Sequence, residues 1–239
     1  DMAALDAALR ASPAAHKLIL SDAVFSMDGD VAPLAELVAL CERHDALLLL
    51  DDAHGFGVLG PHGEGTPAHL GIRSDRLLYL GTLGKAAGVS GAFVAGRADI
   101  VEWLVQRTRT YIFTTATPPL LAAAVRASLR VIREDDWRRD LLRAHAARMR
   151  TRVAGLPWTL LPSDCAIQPL VIGGNAETMH VMEQLRARGI WAPGIRPPTV
   201  PEGTGRLRIS LSAAHTTAHI DALCDALHAV AAAGTARAA

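Results

Sequence analysis

The chain has 239 residues, half of them hydrophobic, which is enough to bury a substantial core. Lysine plus arginine equal aspartate plus glutamate at 24 each, so the formal charge is zero; this excludes the basic footprint of a nucleic-acid or polybasic membrane binder and points to a small-molecule partner. Cys41, Cys165 and Cys224 are odd in number, far apart and without CxxC spacing, which argues against a disulfide framework and a zinc site and fits a reducing cytoplasm.

Met2 to Ser12 has an amphipathic helical pattern, and with Asp1 in place of an initiator methionine the chain reads as a fragment that starts inside an established fold. Leu18 to Leu20 is a short apolar strand, followed by a loop from Ser21 to Val31. A helix is expected from about Pro33, because Leu34, Leu37, Val38 and Cys41 recur at helical spacing and proline suits a first turn. Ala46 to Leu50 then reads as a central parallel strand covered on both faces, completing a βαβ unit. Leu77 to Leu80 and Ala92 to Ala95 are further strands. No apolar run reaches the length of a membrane span: Ala46 to Leu50 is short, and the Ala-rich stretch from Ala222 to Ala233 is interrupted by Asp225 and His228.

From Pro118 to Val153 the pattern is helical and Arg-rich. Beyond Leu156, short strands (Gln168 to Ile172, Leu207 to Leu211) alternate with helices. The expected organisation is an α/β domain with a mostly parallel sheet over residues 1–140, followed by a smaller α+β domain over 141–239. In open α/β sheets ligands collect beyond the carboxyl ends of the strands, where Asp51 and Lys85 both fall.

Of the 24 basic residues, 22 are arginine and only Lys17 and Lys85 are lysine. Arginine stays protonated and cannot form an imine, whereas a lysine amine can be deprotonated by desolvation or a neighbouring cation. Lys85, in Gly81-Thr82-Leu83-Gly84-Lys85 just past a strand, therefore reads as a Schiff-base lysine; the alternative is an ordinary solvated lysine. Asp51 ends an apolar strand in Asp51-Asp52-Ala53-His54-Gly55. A carboxylate there can pair with a protonated pyridine nitrogen, and His54 can hydrogen-bond a phenolic ring oxygen. Taken alone the string is weak, since strand-end aspartates also cap helices.

Thr82 stands where its hydroxyl can meet a phosphate, or can simply serve a turn. Arg206 and Arg208 share the polar face of one strand, and either can clamp a carboxylate with its bidentate fork; Arg196 belongs to the same domain. No GxGxxG or GxxxxGK[ST] follows a strand, which sets aside a generic nucleotide-binding domain.

From Ser21 to about Leu227 the chain resembles the α-oxoamine synthases, a family of fold type I pyridoxal-phosphate enzymes. The resemblance rests on Phe25-Ser26-Met27-Asp28-Gly29-Asp30, Asp51-Asp52-Ala53-His54-Gly55 and Thr82-Leu83-Gly84-Lys85. Val89-Ser90-Gly91-Ala92, Ala166-Ile167-Gln168-Pro169-Leu170 and Ile195-Arg196-Pro197-Pro198-Thr199-Val200-Pro201 are similar to the biotin-pathway branch in particular.

The resemblance implies pyridoxal 5'-phosphate as cofactor, Lys85 as its covalent anchor, Asp51 as the ring-nitrogen partner and His54 as the contact to the phenolic oxygen. It makes Ser26 and Thr82 cofactor ligands, Thr199 a substrate contact and Arg208, with Arg196, the carboxylate clamp. Thr114 or Thr115 would reach the phosphate of a partner subunit in a homodimer. The implied reaction is decarboxylative condensation of L-alanine with a pimeloyl thioester, carried on coenzyme A or an acyl carrier protein. The alternatives are a glycine-using relative with an acetyl or succinyl donor, and a non-catalytic fragment. The family pattern begins upstream of this chain, with a ring-stacking histidine and a Gly-containing turn that have no counterpart here.

Overall fold

The computed structural model describes residues 1–238, with side chains described through Gly234. The chain divides into two compact units: Asp1–Val24 with Val31–Asp136, and Phe25–Asp30 with everything from Trp137 onward.

The first unit opens with helix α1 (Met2–Ala11), strand β1 (Lys17–Asp22), helix α2 (Leu34–His44) and strand β2 (Ala46–Asp51). A single turn α3 (Thr66–His69) precedes β3 (Leu77–Thr82) and β4 (Ala92–Ala95). Helices α4 (Ala98–Arg107), α5 (Arg109–Ile112) and α6 (Pro119–Glu134) follow. The strands form one sheet in the order β1-β2-β3-β4, parallel except for the last pair. The strand-helix-strand reading of residues 17–51 therefore holds, and the α/β class with it.

Helix α2 ends at Asp45, which takes a left-handed conformation (φ 49°). Its apolar stripe of Leu34, Leu37, Val38 and Cys41 packs with Ile19, Leu48 and Leu50 into one core. That face of the sheet is the more deeply buried, while no residue of β2 is exposed on either face. Leu48 and Leu50 are fully buried while Leu47 and Leu49 are half-buried, and on the same open face Leu18 and Leu20 are 54 % and 67 % exposed. The physical reason is that α1 and α2 both join the core on one face, so alternate residues of the apolar runs point away from it.

Helix α7 (Asp136–Arg152) leads into the second unit; the continuous helical stretch expected from Pro118 to Val153 is broken between α6 and α7, at Asp135. The rest comprises β5 (Thr159–Leu160), β6 (Ile167–Gly173), α8 (Asn175–Arg186), β7 (Gly194–Ile195), β8 (Gly205–Ser210) and α9 (Thr217–Ala238). Its sheet is antiparallel in the order β5-β6-β8-β7. Met149, Leu170, Leu185, Leu207 and Leu227 form the centre of its core. No described helix is long and apolar enough to cross a membrane.

Candidate functional site in the first unit and the arginine strand of the second

Asp51 lies at the last position of β2 and faces the same side as Leu47 and Leu49, the open face of the sheet. Its Oδ1 accepts a hydrogen bond from Ala53 N at 2.9 Å, which turns the chain sharply as it leaves the strand. Asp52 points the other way and is fully buried. Its carboxylate accepts from Thr66 N (2.6 Å), Thr66 Oγ1 (2.6 Å) and Tyr79 Oη (2.9 Å). Burial pushes the Asp52 carboxyl up, and these hydrogen bonds oppose the shift. The Tyr79 hydroxyl is driven well above its ordinary range by burial and by the Asp52 charge, so it stays a donor.

That buried carboxylate shapes the loop carrying His54. A Cβ on Gly55 would lie 2.1 Å from Asp52 Oδ1, and one on Gly65 would lie 2.2 Å from Oδ2, so the chain closes around the carboxylate only where no side chain intervenes. His54 is held on the opposite flank, and its Nε2 lies 3.1 Å from Lys85 Nζ.

Lys85 sits in the connection between β3 and β4, where Leu83 N donates to Gly91 O and Val89 N donates to Leu83 O, both at 2.8 Å. Gly88 and Gly91 adopt φ of 66° and 115° in this turn. The lysine is exposed and reachable. Thr82, on the same face as Asp51, has a buried hydroxyl oxygen that makes no hydrogen bond, an unspent polar group of the kind a ligand satisfies. The sequence missed Asp22, which ends β1 in register with Asp51.

Thr114 and Thr115 are exposed between α5 and α6, and Thr114 Oγ1 donates to Thr110 O at 2.5 Å. Ser26, Thr199, Arg196 and Arg208 belong to the second unit. There Arg208 Nε donates to Ser26 O at 2.5 Å and Nη1 to Ser210 Oγ at 3.2 Å, leaving Nη2 without a hydrogen bond among the described residues. Burial pulls the Arg208 guanidinium downward from its ordinary value. Arg206 is consumed structurally: it is buried and pairs with Asp28. Arg196 and Thr199 are exposed, and Thr199 N donates to Arg196 O at 3.0 Å. Among the described residues no group of three or more His, Cys, Asp or Glu side chains is placed to hold a metal ion.

The Lys85 amine, the His54 imidazole and the Asp51 carboxylate thus all lie at or just beyond the carboxyl ends of the neighbouring parallel strands β2 and β3. The family Aminotransferase class I and II matches residues 1–227, and the chain belongs to it. It is 62 % identical over 235 residues to 8-amino-7-oxononanoate synthase 1 of Polaromonas sp. (strain JS666), covering 95 % of this chain and 58 % of that protein. The 8-amino-7-oxononanoate synthase of Paracidovorax citrulli is 60 % identical, with 95 % and 57 % covered. The chain thus spans less than two thirds of the length of these curated relatives. Among solved structures, one of SPT with PLP internal aldimine superposes with a TM-score of 0.92 at 30 % identity, over 98 % of this chain and 59 % of that one. The 8-amino-7-oxononanoate synthase of Francisella tularensis superposes at 0.82 with 26 % identity, over 98 % and 68 %.

Proposed function

We propose that the chain is part of a pyridoxal-phosphate-dependent α-oxoamine synthase that condenses L-alanine with a pimeloyl thioester, releasing carbon dioxide, the free carrier and 8-amino-7-oxononanoate. The observation that carries the reading is Lys85 Nζ against His54 Nε2 at the strand-end edge that also bears Asp51. The relatives' names support the product; the acyl group would arrive on coenzyme A or an acyl carrier protein.

The residues fit the cofactor. The unbonded Thr82 hydroxyl suits a phosphate oxygen, Lys85 would hold the aldehyde carbon, His54 the phenolic oxygen and Asp51 the ring nitrogen. When bound, the cofactor supplies an electron sink for the electrons left at the amino-acid α-carbon. Asp51 would hold a proton on the ring nitrogen, since a carboxylate beside it makes the protonated form favourable. The Lys85 amine would serve as the base that takes the proton from the amino-acid α-carbon and as the acid that returns one to product. Arg208 would bind the amino-acid carboxylate through the part of its fork left unbonded. Ser26 and Thr199 enter as ligands of cofactor and substrate, and Arg196 as a second carboxylate contact, on the family resemblance.

We place the protein in the cytoplasm as a homodimer, with Thr114 or Thr115 reaching the phosphate of the partner. Trp103, Tyr111, Phe113 and Leu120 are 60 %, 65 %, 75 % and 78 % exposed along α4, α5 and the start of α6, an apolar surface of the kind a second copy covers.

Incubating the cofactor-loaded protein with alanine or glycine against pimeloyl, acetyl and succinyl thioesters, with mass spectrometry of the products, tests the assignment. Preferential formation of 8-amino-7-oxononanoate supports it. Preferential use of glycine, or no condensation, overturns it.

A further inference from the structure

Strands β1 and β2 run parallel and in register from Lys17 opposite Ala46 to Asp22 opposite Asp51. Residues opposite one another on neighbouring parallel strands point to the same face, and their backbones lie about 4.8 Å apart. The carboxylates of Asp22 and Asp51 therefore share the open face at the carboxyl edge of the sheet. Ala23 N donates to Asp51 O at 2.8 Å, which fixes the two strand ends to each other just beyond the pair. Thr82, at the end of β3, lies on this same face with its unbonded hydroxyl.

Asp22 is half-buried, and both its burial and the Asp51 charge push its carboxyl above the ordinary range, while the Lys85 ammonium opposes them. The charge environment of Asp22 is thus the strand-end cluster itself: Asp51 beside it, Lys85 across from it, and His54 next to Lys85. Asp52 and Tyr79 face the other side of the sheet and are occupied with each other.

We propose that Asp22 is a positioning residue for the reaction, forming with Asp51 a carboxylate pair whose second negative charge strengthens the hold on the cationic groups at this edge. The proposal rests on the pyridoxal-phosphate reading given above. On that reading Asp51 would contact the protonated ring nitrogen, and Asp22 would act through Asp51. A like charge one strand away makes a lone carboxylate pair costly, and a cation bound against it relieves that cost. With the cofactor bound, the pair would favour the protonated forms of the nitrogens at this edge over their neutral forms.

Two measurements decide it. In the cofactor-free protein, carboxyl-detected carbon NMR follows Asp22 through its titration; Asp51→Asn is expected to move that titration to lower pH, and an unmoved titration overturns the pairing. In the loaded protein, Asp22→Asn is expected to lower the pH midpoint of the visible absorption band by about one unit, with Asp22→Glu restoring it. A residue with a merely structural role would leave the midpoint in place, and that result overturns the proposal even if activity falls. If the wild-type protein shows no absorption band with pyridoxal phosphate, the cofactor reading fails, and the NMR titration alone decides whether the carboxylates act as a pair.

Discussion

Lys85 Nζ and His54 Nε2 are 3.1 Å apart although 31 positions separate them in the chain. The contact is made by two turns that follow neighbouring parallel strands, so the sheet, rather than either loop, brings the groups together. Because Nζ bears only donors when protonated, His54 Nε2 then serves as acceptor and the ring carries its proton on Nδ1. His54→Ala is expected to weaken pyridoxal phosphate binding by roughly fivefold, equivalent to about 1 kcal/mol for one lost hydrogen bond. Titration of the cofactor by absorbance checks this, and unchanged affinity would show that the imidazole is not a ligand.

Asp52 is the structural counterpart of Asp51. Removing its buried carboxylate by Asp52→Ala takes the acceptor from Thr66 N and Thr66 Oγ1 and leaves Tyr79 Oη only the Glu64 carbonyl, and is expected to cost about 3 kcal/mol in urea unfolding. Gly65→Ala should be comparably harmful, because the added Cβ meets both Asp52 and Tyr79 and the backbone is already at φ 106°. Unfolding midpoints equal to wild type in both variants would mean that this network does not set the loop.

How much of this was readable beforehand differs residue by residue. Lys85 and Asp51 are legible because each follows an apolar run and because lysine is scarce in an arginine-rich chain. Asp22 is not, since Ser21-Asp22 after a three-residue apolar run reads as the start of a loop, whereas the ladder with β2 carries the strand on to Asp22. Asp52 hides beside Asp51, although alternation from Leu48 and Leu50 places it on the buried face. Arg206 and Arg208 share a polar face by spacing, and only packing reveals that Arg206 is taken by Asp28 while Arg208 keeps part of its fork unbonded.

In the second unit Asp221 accepts two hydrogen bonds from Arg148, both at 2.7 Å, and a third from Arg152 at 2.9 Å. The Arg148 contact in particular holds the Asp221 carboxyl below its ordinary value of 3.8. A depressed folded-state value means that the carboxylate contributes stability above pH 3.8, and that this contribution is lost as pH falls through the lower folded value. Asp221→Asn should therefore lower the melting temperature at neutral pH and flatten its fall in acid, with the two proteins converging at low pH. Parallel melting curves across the acid range would rule out this linkage.

Arg208 is expected to act on the amino-acid carboxylate through a planar fork, which lysine cannot reproduce. Arg208→Lys should raise KM for alanine at least about tenfold with a smaller change in kcat, the pattern of lost uniform binding. A kcat loss with unchanged KM would place Arg208 outside the substrate site and leave it as a support for the Ser26 carbonyl.

Borohydride reduction of the loaded protein followed by peptide mapping tests whether Lys85 is the covalent anchor of pyridoxal phosphate. A visible absorption band that disappears on reduction and a pyridoxyl group on Lys85 are expected, with no label in Lys85→Ala. A label on Lys17 or on the chain's amino terminus, or undiminished labelling of Lys85→Ala, would contradict it.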